Sequence, residues 1–89
     1  MRFKASETFW RKFYALSSSQ KESTREAWKI FKLDPFDPRL RTHKINQLSA
    51  ALKKTVFAAE IEPDLRVVFC LDGDLVRTVD IGTHDIYKP

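Results

Sequence analysis

Residues 55–81 read TVFAAEIEPDLRVVFCLDGDLVRTVDI. Three runs within it, 55–61, 65–71 and 75–81, are rich in Val, Ile, Leu, Phe and Thr. Such residues suit the half-buried surface of a sheet. The joints are Glu62-Pro63-Asp64 and Asp72-Gly73-Asp74. Both are too short for a crossover, and Asp-Gly is a strong tight-hairpin signal. An antiparallel meander is therefore expected. THKIN (42–46) is a further strand-like run, and MRFKA (1–5) an expected first strand.

Working outward, the pattern changes period. In SETFWRKFYAL (6–16), Phe9, Phe13 and Leu16 fall on one helical stripe, and Ser6 is the expected N-cap. A second helix is expected within SSSQKESTREAWKIFKLDP (17–35), where Ser19 and Glu22 have capping-box spacing. Asp34-Pro35 ends it, because a residue before Pro disfavours helical geometry. The two helices form an antiparallel hairpin. DPFDPRL (34–40) is a turn-rich connector. The expected architecture is α+β: an N-terminal strand, a helical hairpin, then an antiparallel β-meander with the helices on one face and the other face open.

One domain spanning residues 1–89 suits the length. Hydrophobic residues at 43% and charged residues at 31% describe a folding chain, not a disordered one. No apolar run reaches membrane-spanning length and the basic start has no apolar signal core behind it, so a cytoplasmic protein is expected. One cysteine, Cys70, excludes an internal disulfide and a multi-Cys zinc site. Its setting in RVVFCL predicts a buried, inert thiol. Net charge is +4. Residues 39–59 carry Arg39, Arg41, Lys44, Lys53 and Lys54 with no acid. That segment is either a solvated face or a strip for a phosphate backbone.

Gly-rich phosphate loops, HExxH and dinucleotide fingerprints are absent, and the two histidines are not spaced as ligands on one element. No metal or cofactor is expected. What remains is His43, Lys44, Glu60, Asp64, Arg66, His84 and Tyr87. Arg66 points with Val68 and away from Val67, and an Arg in mid-strand cannot sit unpaired in a core. Taken singly, each residue has a structural explanation. Together they supply a base, a cation and an acid, the set that phosphodiester cleavage through a ribose 2′-hydroxyl requires.

Three segments carry a resemblance: FKLDPFDPRLRTHKINQL (31–48), AAEIEPDLRVVF (58–69) and DIGTHDIY (80–87). Through them the chain resembles the RelE/ParE toxin superfamily of type II toxin–antitoxin systems, and within it the YafQ-like branch. The resemblance implies a RelE-like fold and a ribosome-dependent endoribonuclease that cuts messenger RNA in the decoding site. It implies a cognate antitoxin as partner, with operator DNA bound only through that complex. The catalytic set it implies is His43, Asp64, His84, Tyr87 and a phosphate-binding Arg66. Arg41, Lys44, Lys53 and Lys54 would hold neighbouring phosphates. Glu60 departs from the pattern, standing where the YafQ type has another His. The general base is thereby left open among His43, Glu60 and Asp64. His84 would serve as general acid, since imidazole titrates near ~6.5. The ParE branch, which inhibits DNA gyrase, shares the fold and is the alternative. A relative that only binds antitoxin or RNA is a third reading.

Overall fold

The three runs of residues 55–81 form three successive antiparallel strands in the computed structural model, which describes residues 1–83 and Ile86. In chain order the elements are β1 (Arg2–Ala5), α1 (Glu7–Tyr14), α2 (Ser18–Phe31), a 3-10 turn (Pro38–Leu40), β2 (His43–Lys44), α3 (Asn46–Leu52), β3 (Val56–Glu62), β4 (Leu65–Asp72) and β5 (Leu75–Gly82). They make one sheet in the order β1-β5-β4-β3-β2. The β4–β5 hairpin closes through Gly73 and Asp74, with Gly73 at φ +63°. That left-handed conformation suits glycine at the first central position of a two-residue loop.

The two expected helices lie on one face of the sheet. Phe9 and Phe13 of α1 and Phe31 of α2 pack with Leu65, Val67, Phe69, Val76 and Ile81. Phe69 is fully buried at the centre. Full burial of such a side chain stabilises by about 1.5–3 kcal/mol. Ser6 caps α1, its Oγ accepting from the Phe9 N–H. Lys12 of α1 reaches Asp80 of β5 at 2.7 Å and ties helix to sheet. In the connector, Asp34 and Asp37 each accept from the backbone N–H two residues on, which sets the turns at the two Asp-Pro steps.

Three expectations need correction, and the sheet adds a feature that none of them named. The capping box of α2 is Ser17 with Gln20, not Ser19 with Glu22. Gln20 returns a bond to the Ser17 N–H at 3.1 Å, so the helix starts one residue before the alternative cap. The sheet is mixed, because β1 pairs with β5 in parallel. THKIN contributes only His43 and Lys44 as strand before the chain turns into α3. Finally, the second face is not open throughout. Ile45 and Leu48 cover Val56, Ala58, Val68 and Cys70 there, forming a second small core.

Candidate functional site

Strand register decides which candidate residues meet. Glu60 of β3 stands opposite Arg66 of β4, and His43 of β2 stands opposite Ala58. Directly opposed residues share a face, and alternate residues along a strand do too. His43, Glu60 and Arg66 therefore lie on the face away from α1 and α2. The groove between those helices and the sheet, about 500 Å3, is lined by rings such as Trp10, Tyr14 and Trp28 and by no acid or histidine. The candidate acid–base residues His43 and Glu60 lie on the other face.

Arg66 is 9% exposed. Its Nη1 donates to the carbonyls of Glu62 at 2.8 Å and Pro63 at 2.7 Å, and Glu60 Oε1 lies 3.9 Å away. The two carbonyls belong to the turn that carries Asp64, which is exposed. Asp80, on the neighbouring strand β5, is bonded to Lys12. Glu60 would repel a phosphate if it stood alone, and the neighbouring guanidinium offsets that charge. His43 is exposed, with Nδ1 3.1 Å from the Arg41 carbonyl. When Nδ1 carries the proton it donates to that carbonyl, which makes Nε2 the basic nitrogen. Arg41 itself is in the left-handed region at φ 47°.

Arg41, Lys44, Lys53 and Lys54 are all exposed. Lys44, Lys53 and Lys54 ring a shallow depression of about 440 Å3 together with Asn46, Ser49 and Thr55. Among the described residues these four cations enter no ion pair. By contrast, Arg2, Lys12, Arg25, Lys29, Arg39, Arg66 and Arg77 each have a carboxylate partner. Apart from Arg39, which pairs with Asp37, the cations of the acid-free run thus become uncompensated positive charge at one edge of the sheet. Cys70 is buried on this face, and desolvation pushes its thiol above the usual range.

Gly82 stands opposite Arg66 at the end of β5. Beyond it the Ile86 N–H donates to the Thr83 carbonyl at 3.1 Å, and Ile86 packs against the second core. The expected roles of His84 and Tyr87 fall outside the described residues. Among the described residues, no group of three or more His, Cys, Asp or Glu is placed to hold a metal ion, and no helix is long and apolar enough to cross a membrane. What sequence reasoning missed is the pair of backbone acceptors on the Glu62–Pro63 turn, because carbonyl positions leave no signature in side-chain order.

No family model matches the sequence, and no curated protein does. Solved structures do match. YafQ from E. coli strain BL21(DE3) superposes with a TM-score of 0.71 at 19% identity, covering 100% of both chains. A YoeB/ParE toxin from Agrobacterium tumefaciens gives 0.73 at 13% identity, over 94% of this chain and 99% of that one. Archaeal RelE, in the RelE–RelB complex from Pyrococcus horikoshii OT3, gives 0.71 at 12%, over 92% of each. The fold is that of the RelE-like toxins. More narrowly, the E. coli YafQ fold is matched along its whole length.

Proposed function

We propose that this protein is the toxin of a type II toxin–antitoxin pair and a metal-independent endoribonuclease acting on messenger RNA in the ribosomal decoding site, in the cytoplasm. The observation that carries the reading is the gathering of His43, Glu60 and Arg66 on one sheet face, beside the turn bearing Asp64. The fold match to YafQ and RelE supports the toxin class. Because RelE and YafQ have each been solved bound to an antitoxin, RelB and DinJ respectively, a cognate antitoxin is the proposed partner here. Operator DNA would be met through that complex.

In the proposed reaction a base, His43, Glu60 or Asp64, removes the proton of a ribose 2′-hydroxyl. The 2′-oxygen attacks the adjacent phosphorus, the bond from phosphorus to the 5′-oxygen breaks, and His84 donates a proton to the departing oxygen. The products are a 2′,3′-cyclic phosphate and a 5′-hydroxyl. Arg41, Lys44, Lys53 and Lys54 hold flanking phosphates, and Tyr87 stacks on a base. Positive charge at Arg66 lets a carboxylate and a phosphate share one face.

Primer extension on a defined messenger, with and without ribosomes, tests this. Cuts that need ribosomes and vanish in His84→Ala are expected. Folded protein that leaves the messenger intact under both conditions would sink the nuclease reading, and a DNA supercoiling assay would follow.

A further inference from the structure

Arg66 is in a position that the phosphate-clamp role does not explain. An Nη nitrogen carries two N–H bonds, and both on Nη1 are engaged, by the carbonyls of Glu62 and Pro63 at 2.8 and 2.7 Å. These are charge-assisted bonds, short for N–H···O contacts. The guanidinium edge formed by Nη1 and Nη2 is therefore not available for bidentate grip of a phosphate. The side chain is also buried, and a buried guanidinium keeps its charge at tolerable cost only while its donors stay bonded. Drawing it out toward a ligand would break both bonds and uncover two carbonyls.

The same place in the sheet explains why such a staple is needed. Register between β3 and β4 shifts between Glu60 and Glu62. An irregularity of this kind interrupts the ladder and leaves backbone groups without strand partners. The two carbonyls that Arg66 holds lie just beyond it, in the turn leading to Asp64. The same Nη1 lies 3.9 Å from Glu60 Oε1, close enough for an ion pair but too far for a hydrogen bond.

We infer that Arg66 is a positioning residue: it staples the Glu62–Pro63–Asp64 turn through Nη1, fixing where Asp64 stands for catalysis, and this anchoring keeps the side chain from moving out to grip the scissile phosphate. This rests on the nuclease reading for its catalytic consequence but not for its structural one. Phosphate contact falls instead to the uncompensated cations Arg41, Lys44, Lys53 and Lys54.

The test compares wild type with Arg66→Ala in three measurements. Amide hydrogen exchange of the free protein reads the turn directly. Arg66→Ala should speed exchange at Asp64 and Leu65 and leave α1 and α2 as they were. The dependence of single-stranded RNA binding on salt reads how many phosphates the protein neutralises, and its logarithmic slope should not change. Giving up one phosphate would lower that slope by about 0.7. Single-turnover cleavage should fall, and adding Asp64→Asn should cost less than the product of the two separate losses. Unchanged exchange with a reduced slope would overturn the inference. Should neither protein cleave, the nuclease reading falls, while the exchange result still decides the staple. If Arg66→Ala does not fold, wild type titrated with inorganic phosphate decides: the Arg66 guanidinium resonance should stay still while lysine ammonium resonances move. A saturable shift at Arg66 would overturn the inference.

Discussion

Ile86 sits over Gly82: its Cγ2 lies 2.7 Å from where a Cβ on residue 82 would be. Glycine is required here for closeness, since any side chain would meet Ile86. Ile86, three places past Thr83, thereby seals the second core beside Val68 and Cys70. Gly82→Ala should push Ile86 off the sheet, at a cost of about 1–3 kcal/mol by the usual effect of overpacking. Thermal unfolding measures that cost. Primer extension on the same variant should show a loss of cleavage larger than the small unfolded fraction explains, because Gly82 faces Arg66 across the ladder. Cleavage that tracks stability alone would separate the terminal turn from the site.

The lysine cluster carries a quantitative expectation. Lys44, Lys53 and Lys54 are exposed and, among the described residues, outside any ion pair. Replacing all three with Gln should reduce the salt slope of single-stranded RNA binding by about 2, near 0.7 for each phosphate no longer neutralised. The melting temperature should hardly move. An unchanged slope would return these residues to the role of solvated surface charge.

Cys70 is buried beneath Ile45 and Leu48 on the sheet, and desolvation raises its thiol pKa. The thiolate is the reactive form. An aromatic disulfide reagent at pH 8 should therefore leave the native protein unmodified and titrate one thiol once denaturant is added. Rapid native labelling would show that α3 opens readily.

Asp74 is bonded to Arg2 at 2.9 Å, across the parallel β1–β5 edge, and the guanidinium lowers its carboxyl pKa. A depressed carboxylate contributes stability above its unfolded pKa of about 3.9, and this is lost as pH falls through the folded value. The pair is exposed, so the contribution is small. Asp74→Asn should melt slightly below wild type at pH 7, and the two melting curves should converge once the pH has fallen past the lowered pKa of the folded carboxyl. A gap that persisted in acid would assign the effect to the turn instead of to the charge.

The sheet half was legible because its signals are local. Their content of Val, Ile, Leu, Phe and Thr marked the strands of 55–81, and Pro63-Asp64 and Gly73 marked where they turn. Ser6 and the Phe9–Phe13 stripe marked α1 just as directly. Helix α3 escaped because it is only seven residues long and begins after Ile45, with no side-chain cap. Its signal was present in the spacing of Ile45, Leu48 and Leu52, of which Ile45 and Leu48 are buried. The cap of α2 was misplaced because Ser17, Ser18 and Ser19 are equivalent to local rules, and the reach of Gln20 breaks the tie.

The candidate site divides along the same line. His43, Glu60, Asp64 and Arg66 could be singled out from residue type and alternation, and their residue types limited the chemistry to proton transfer and charge. Sequence order also fixed that Arg66 shares a face with Val68. It could not say that Glu60, and not Asp64 or Asp80, would be the carboxylate opposite, because that depends on the register across β3 and β4. Nor could it say that the guanidinium bonds two carbonyls, since acceptors on the backbone are identical at every residue until the chain is folded. Strands and turns follow from neighbours in the chain. The parallel partner of β1, the covering of the second face and the commitment of Arg66 follow from contacts between distant residues, whose energies exist only once the sheet has formed.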